Sequence, residues 1–194
     1  MWCNLREDFQ RTYAHTSYRG ALRKTLHVLT SPGFQAVWTY RMTRWLMLRH
    51  VPFVGALLQR FAEVWTGISL PPDAKIGPGL LIYHYGGVVV NGQSVIGAHC
   101  TMHHGATIGN RRTGGASPVL GDHVTIGAGA RILGEITIGH HVEIGANAVV
   151  LHSVPDGGVA VGIPARVVKQ KVSDTSQRRE VSDTSQRREV SDTF

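Results

Sequence analysis

Cysteine is scarce in this chain of 194 residues, which has only Cys3 and Cys100. Two thiols so far apart in sequence offer no disulfide framework, so other interactions must hold the fold together. Cys100 comes four positions after Ile96, at a position that small apolar residues fill elsewhere in the repeat described below. We therefore interpret Cys100 as a buried small hydrophobe rather than a nucleophile.

Long apolar runs are also missing from the sequence. No uninterrupted stretch reaches the roughly 18 to 20 apolar residues that a membrane-spanning helix needs. Near the start of the chain, Arg6, Glu7 and Asp8 interrupt any apolar segment of the kind that forms a signal peptide. A cytoplasmic location is the default expectation.

Acidic residues are outnumbered: 13 Asp and Glu stand against 20 Lys and Arg, which gives a formal net charge of +7. Such a surplus favours an anionic partner. The chain has no recognised nucleic-acid-binding motif and no alternation of basic and aromatic residues suited to base stacking. We therefore expect a small phosphorylated ligand and no nucleic acid.

What the sequence does contain is a repeat of six residues. A glycine follows most of the leading aliphatic residues, and a small or β-branched residue comes four positions after each of them. A helix repeats every 3.6 residues and a half-buried strand every two, so neither explains this period. A six-residue period is typical of a parallel β-helix, in which three units complete one coil and equivalent residues of successive coils stack. The leading residues are Leu120, Ile126, Ile132, Ile138, Ile144 and Val150.

The repeat extends towards the N-terminus with two interruptions. Two extra residues separate an early series of leading positions, which we assign to Leu70, Ile76, Ile82 and Val88, from a second series, Ile96, Met102 and Ile108. Between Gly109 and Val119 one aliphatic position is missing, and the composition is polar and rich in glycine. We predict a loop there and count it as two units of the coil.

The repeat divides the chain into three regions. We predict a helical region over residues 1–66, a β-helix over 67–171 and a disordered tail over 172–194, where the polar nonamer VSDTSQRRE recurs. The aromatic residues of the helices are expected to pack between helices or subunits, with peripheral membrane contact as the alternative. The longest helix begins at Pro32 and is predicted to share one face among Phe34, Val37, Trp38, Met42, Trp45 and Leu46.

Counting along the coil predicts a column of polar side chains. His84 and His104 are each third in their units, so their side chains should stack about 4.8 Å apart, the spacing of neighbouring strands. With the loop counted as two units, Asp122 follows on the same column. A His-His-Asp column beside a glycine-rich loop suits acid–base chemistry. The alternative is that these are solvated surface histidines.

Several short motifs carry a family resemblance. They are WTGI at 65–68, AKIG at 74–77, the segment around His84, IGAGA at 126–130, IGANA at 144–148 and VGIPARVV at 161–168. Together they resemble serine acetyltransferase and its relatives among the hexapeptide-repeat acyltransferases, over residues 66–171. The resemblance implies a left-handed β-helix, although the right-handed crossover rule alone would predict the opposite hand. It also implies a homotrimer, with two trimers able to join through the N-terminal helices, and a catalytic base at His84.

The same resemblance implies acetyl-CoA as co-substrate and no metal. Gly109, Ala128 and Ala146 match family positions that leave room for the pantetheine arm, and the last two should stack on successive coils. Four basic residues are candidates to bind the CoA phosphates: Arg111, Arg112, Arg166 and Lys169.

The sequence departs from serine acetyltransferases where those enzymes hold the amino acid. Ser69 and Tyr83 stand where they carry acidic residues, and Ser117 stands where they carry a histidine. A zwitterionic amino acid needs charged partners in a site that has shed water, and these positions supply none. His103 joins Ser69 and Tyr83 as a candidate for substrate binding. Segments 84–91 and 103–105 look closer to the acetyltransferases of colanic-acid and other exopolysaccharide clusters, which acetylate a sugar hydroxyl.

We therefore expect a mainly β protein, a left-handed parallel β-helix with an N-terminal α-helical region. The predicted activity is acetyl-CoA-dependent O-acetyl transfer to a sugar hydroxyl in exopolysaccharide or glycan biosynthesis. The alternative acceptor is serine, in cysteine biosynthesis. Two other classes remain open. One is a zinc enzyme of the carbonic-anhydrase type that uses histidines across a subunit boundary, with His99 and His104 as candidates, and the other is a non-catalytic scaffold for polysaccharide synthesis.

Overall fold

The six-residue period folds into short strands that line three walls of a prism. The computed structural model describes residues 2–170. The strands are β1 Ile68–Ser69, β2 Lys75–Ile76, β3 Leu81–Tyr83, β4 Val88–Val90, β5 Val95–Ile96, β6 Thr101–His103, β7 Thr107–Gly109, β8 Val119–Leu120, β9 Thr125–Ile126, β10 Arg131–Leu133, β11 Thr137–Ile138, β12 Glu143–Ile144, β13 Val149–Val150, β14 Gly158–Gly162 and β15 Ala165–Gln170.

The strand order confirms the predicted parallel β-helix. The three sheets run β1-β4-β7-β10-β13, β2-β5-β8-β11 and β3-β6-β9-β12-β14-β15. From β1 to β13, each strand pairs in parallel with the strand three places later, so every coil adds one rung to each wall. Only the final pair of the third sheet, β14 and β15, is antiparallel among the described strands.

The interior of the prism is filled by the leading aliphatic residues. All six from Leu120 to Val150 are at most 2 % exposed. The corner residues between them are also buried, as the small side chains Ala130 and Ala148 show. Cys100 occupies such a corner, and burial raises the pKa of its thiol to about 11. A thiol that stays protonated at neutral pH is a poor nucleophile, which confirms its interpretation as a buried hydrophobe.

The first interruption of the repeat lies earlier than predicted. Val90, rather than Val88, is the stacking partner of Ile108. The two extra residues therefore fall between Ile82 and Val90, in the turn that contains His84. Our assignment of the leading position to Val88 was wrong, because three valines follow one another at 88–90 and the sequence does not show which of them leads.

The second interruption is the predicted loop, but it takes up one unit of the coil rather than two. Gly109 ends β7 and Val119 begins β8, which confirms the bounds of the loop. Leu120 pairs directly with Ile96, and Ile126 pairs with Met102. The loop is thus an excursion from a single corner, and every position after it shifts by one unit relative to our count.

Four helices precede the prism: α1 Trp2–Ala14, α2 Ala21–Thr30, α3 Pro32–Leu48 and α4 Pro52–Thr66. Pro32 and Pro52 start their helices, where a missing backbone N–H costs nothing. The buried face of α3 includes Val37 and Tyr40. Trp38 does not belong to that face, contrary to our prediction, because it is 42 % exposed.

A buried ion pair fixes the helices to the first coil of the prism. Asp8 of α1 and Arg41 of α3 are 0 % and 4 % exposed, and Arg41 Nε lies 2.9 Å from Asp8 Oδ2. Arg41 also donates hydrogen bonds to the carbonyl oxygens of Ile76 and Gly77, and the Leu80 amide donates to Asp8 Oδ1. The pair therefore satisfies backbone groups of the prism as well as itself.

None of the helices within residues 2–170 has the length and apolarity to cross a bilayer. The predicted disordered tail over 172–194 lies outside the described residues.

Candidate active site

The turn after β3 presents His84 to solvent. His84, Gly86 and Gly87 all have positive φ angles, between 68° and 75°. Glycine adopts this conformation freely, whereas a histidine rarely does. The two-residue insertion thus produces a bulged corner whose exposed side chains are His84 and Tyr85.

The predicted pairing of His84 with His104 is confirmed. Tyr83 pairs with His103 across β3 and β6, which places His84 and His104 on adjacent rungs. Their ring centroids lie 5.5 Å apart in an edge-to-face arrangement. The ring of Tyr83 stacks on that of His103 at 5.1 Å. Burial first, and then the neighbouring imidazoles, lower the pKa of His103, so this ring is neutral at neutral pH.

Asp122 does not lie on this column, and the prediction that it does was wrong. Its Oδ1 accepts a hydrogen bond from the Ala98 amide at 2.7 Å, and its Oδ2 lies 3.3 Å from His140 Nδ1. The error follows from counting the loop as two units. With the observed register, the residue that follows His104 on the column is Ala128.

Ala128 and Ala146 stack as predicted, because Ile126 pairs with Ile144. They continue the column of the two histidines along the same wall of the prism. Gly109 lies on a different wall, where it pairs with Leu133. Small side chains therefore leave a shallow track along the wall that leads away from His84.

The basic candidates for phosphate binding fall in two places. Arg111 and Arg112 are exposed on the loop, and the Cβ atom of Arg111 lies close to the backbone at Gly134. Arg166 and Lys169 are exposed on β15, at the C-terminal end of the prism. The structure does not bring the two pairs into contact within one chain.

A cavity of about 440 Å³ opens next to His84, between the prism and the helices. Tyr83, His84 and Tyr85 line it on the prism side. The helical side is rich in hydroxyl and imidazole groups, and no Asp or Glu lines the cavity among the residues that the structure describes. The polar residues of the helices and of the segments that connect them are Thr12, His15, Thr16, Ser17, Tyr18, His27, Thr30 and Ser31.

Sequence reasoning missed the helical side of this cavity. Tyr18 and His27 come from different segments, and their rings meet at 4.7 Å only in the folded chain. The one sign of this wall in the sequence was the polar run from Thr16 to Tyr18. It separates two helical segments and carries side chains that can hydrogen-bond a ligand.

The serines at the departures from the family pattern are both engaged with other side chains. Ser69 Oγ donates to Glu63 Oε1 at 2.7 Å, so a carboxylate from α4 lies beside it. Ser117 is nearly buried, and its hydroxyl lies 2.9 Å from Asn91 Oδ1 and 3.1 Å from Asn110 Oδ1.

Within one chain, His99 and His104, the candidates for a zinc site across a subunit boundary, lie at different corners of the prism. His99 lies on another edge of the prism, where its ring stacks on that of His123 at 5.1 Å. His123 in turn stacks on His141 at 4.7 Å. In the described part of the chain, no three His, Cys, Asp or Glu side chains are grouped so that they could hold a metal ion.

Known proteins share both the repeat and the fold. The pattern of the bacterial transferase hexapeptide (six repeats) family matches residues 117–152. The serine acetyltransferase of Helicobacter pylori strain J99 is 43 % identical over 143 residues, which are 73 % of this chain and 84 % of that protein. The serine acetyltransferase of Synechococcus elongatus is 40 % identical over 151 residues, which are 76 % of this chain and 62 % of that protein.

A solved structure agrees with these sequence relationships. The crystal structure of serine acetyltransferase in complex with coenzyme A from Brucella abortus strain S19 superimposes with a TM-score of 0.80 at 30 % identity. The match covers 88 % of this chain and 68 % of that one. The present chain thus spans about two thirds of the length of several relatives.

Proposed function

The chain belongs to the serine acetyltransferase family of hexapeptide-repeat transferases, and from that membership we propose that it transfers an acetyl group from acetyl-CoA to the hydroxyl of L-serine. This reverses the order of our two sequence-based acceptors. The relatives named above are serine acetyltransferases, and they give no support to a role in exopolysaccharide biosynthesis. The observation that carries the proposal is the exposed imidazole of His84, with His104 beside it, at the mouth of the cavity.

We assign His84 as the general base. An unactivated hydroxyl is a weak nucleophile, so a neutral imidazole must accept its proton as the oxygen attacks the thioester carbonyl carbon. The tetrahedral intermediate then collapses as the carbon–sulfur bond breaks. The protonated His84 gives its proton to the departing thiolate, which restores the neutral base without an acyl-enzyme. His104 is the nearest candidate to orient His84, because Asp122 lies elsewhere.

Small residues and basic residues suit the proposed co-substrate. Ala128 and Ala146 continue the column of the histidines, so they leave space for an extended chain along the wall. Arg111 and Arg112 of the loop are exposed, so their guanidinium groups are candidates to bind phosphate groups. Arg166 and Lys169 on β15 are the second basic pair. Backbone N–H groups of the glycine-rich loop are the candidate donors to the oxyanion.

We also propose that the protein is a homotrimer, as the family resemblance implies. Under this proposal the loop arginines of one subunit and β15 of a neighbour serve one site, which accounts for the two separate basic pairs. Sedimentation of the purified protein tests this assembly.

One observation favours a second class of acceptor. The cavity presents hydroxyl, phenol and imidazole groups, and Tyr83 takes the place of a carboxylate that would pair with the amino group of serine. A neutral polyhydroxyl compound such as a sugar suits these groups better than a zwitterion does.

Acceptor-dependent release of CoA decides between the two classes, with L-serine and neutral sugars assayed side by side. The proposal predicts kcat/KM for L-serine of about 10⁴ M⁻¹s⁻¹ or higher, an ordinary value for an enzyme acting on its own substrate. Turnover with a sugar but not with serine would contradict it, and release of CoA with neither would remove the acetyltransferase assignment as well.

A further inference from the structure

Helix α4 buries small side chains and exposes large apolar ones, the reverse of an ordinary surface helix. Its buried residues are the small Gly55, Ala62 and Thr66, which recur at spacings of seven and four and therefore share one face. A Cβ atom added at Gly55 would lie within 4 Å of Thr43 and Leu46. The face that carries the small residues therefore packs on α3. An ordinary amphipathic helix buries its large apolar side chains instead.

The opposite face of α4 exposes large apolar side chains. Phe53, Val64 and Trp65 are 81 %, 78 % and 64 % exposed, and Leu57 and Phe61 are exposed between them. The rings of Phe61 and Trp65 stack with centroids 6.4 Å apart. Five such side chains on one helix form a continuous stripe rather than scattered exposed residues.

Helix α2 adds a second apolar stripe to the same end of the molecule. Leu22, Leu26 and Leu29 are exposed at spacings of four and three, so they lie along one line of the helix. The two helices are linked through Gln35, which accepts a hydrogen bond from Trp65 Nε1 and donates one to the carbonyl oxygen of Leu29. We call the two stripes together the helical apolar surface: Leu22, Leu26, Leu29, Phe53, Leu57, Phe61, Val64 and Trp65.

The charge of the helical region identifies what this surface fits. Residues 2–66 contain nine Lys and Arg against three Asp and Glu, so they carry +6 of the chain's formal charge of +7. Arg23 and Lys24 directly follow Leu22, and Arg60 lies beside Phe61 on the exposed part of α4. All four tryptophans of the sequence also fall in this region. Tryptophan and tyrosine favour the boundary between lipid and water, and clustered basic residues favour anionic headgroups.

We propose that the helical apolar surface docks the protein onto an anionic lipid membrane, lying in the headgroup layer without crossing it. Leu, Phe and Trp side chains enter the boundary between headgroups and acyl chains, while the exposed Arg23 and Arg60 contact lipid phosphates. A second copy of the chain is the alternative occupant, and the oligomeric state measured below distinguishes it from a membrane. The cavity beside His84 is lined in part by Tyr18 and His27, so the docked face neighbours the acceptor entrance.

Vesicle co-sedimentation of the full chain tests this docking. The protein is expected to bind vesicles of mixed phosphatidylcholine and phosphatidylglycerol at low salt and to bind phosphatidylcholine vesicles about tenfold more weakly. Phe61→Ser and Arg23→Glu should each weaken binding to the anionic vesicles about tenfold. Matched controls on the prism are Val168→Ser and Lys75→Glu, which alter exposed residues of the same types and should change nothing.

Three results would overturn the proposal. The first is equal binding, or none, to the two kinds of vesicle. The second is a change of oligomeric state in Phe61→Ser, measured by analytical ultracentrifugation without vesicle binding, which would assign the surface to a second copy. The third is binding of a single-stranded oligonucleotide that survives Phe61→Ser, which would assign the charge to nucleic acid. Acetyl transfer in solution is measured separately on the same variants, so the result does not depend on the proposed function.

Discussion

Arg41 Nε lies 2.9 Å from Asp8 Oδ2, and this buried pair joins α1 and α3 to the first coil of the prism. The cavity beside His84 also lies between the helices and the prism, since α1 contributes Thr12 and the start of α3 contributes Gly33 to its wall. The ion pair therefore sets the spacing of the candidate acceptor site, although it touches none of the cavity's residues directly.

Replacing Asp8 with alanine should strongly destabilise the fold. The substitution leaves the Arg41 guanidinium buried without its counter-ion, which typically costs about 3–5 kcal/mol. Urea unfolding measures the loss. The matched control is Arg60→Ala, which breaks an exposed pair with Glu63 and should cost at most about 1 kcal/mol. Equal losses in the two variants would show that the buried pair does not fix the helices.

Removing the side chains of Tyr18 and His27 should impair the acceptor and spare the co-substrate. Their rings form part of the cavity wall beside His84. We expect each alanine variant to raise KM for the acceptor about tenfold, the effect of roughly 1.4 kcal/mol of lost binding, with KM for acetyl-CoA unchanged. His152→Ala, on an exposed residue of the prism, is the control. Parallel changes in both KM values would mean that the cavity is not the acceptor site.

Asp122→Asn should leave kcat within about twofold of the original protein. The amide oxygen of asparagine can still accept the hydrogen bond from Ala98, and the side chain lies off the histidine column. A loss of about 10² or more, the scale expected for a member of the acid–base set, would contradict the register described here. Steady-state kinetics at saturating acceptor make the measurement.

Stability should fall as the pH drops below about 6.5, and His123 should contribute to this fall. Burial first, then His141, His99 and Arg11, lower the pKa of His123, while Asp122 opposes them. The unfolded chain therefore binds a proton that the folded chain resists, so stability is complete above about 6.5 and decreases through the lowered pKa. His123→Asn, which suits the positive φ of 58° at this corner, should flatten the pH dependence of urea unfolding. His152→Asn serves as control, and an unchanged slope in His123→Asn would refute this account.

The fold could be predicted because a strict six-residue aliphatic period has few other solutions. The spacing of Ile126, Ile132 and Ile138 does not match the period of a helix. The glycines that follow most leading residues argue against one continuous strand and suit tight corners. The stacking of Ala128 on Ala146 followed from the same arithmetic, because no insertion separates them.

Insertions are where prediction from the sequence stopped. The leading positions on either side of the loop between Gly109 and Val119 are twelve residues apart. That spacing does not show whether the loop takes up one unit of the coil or two. The backbone pairing of Met102 with Ile126 decides that question and removes Asp122 from the column. The cavity wall at Tyr18 was equally out of reach, because it depends on how the helices dock on the prism rather than on any local period.

The most direct test of the account is kcat for His84→Ala with saturating acetyl-CoA and serine. Loss of a general base typically lowers the rate about 10²- to 10⁴-fold, and the variant should keep its fold and its affinity for CoA because the side chain is exposed. His123→Asn, which changes an exposed histidine away from the cavity, should retain full turnover in the same assay. A His84→Ala protein that keeps more than about a third of the original kcat would show that His84 is not the base.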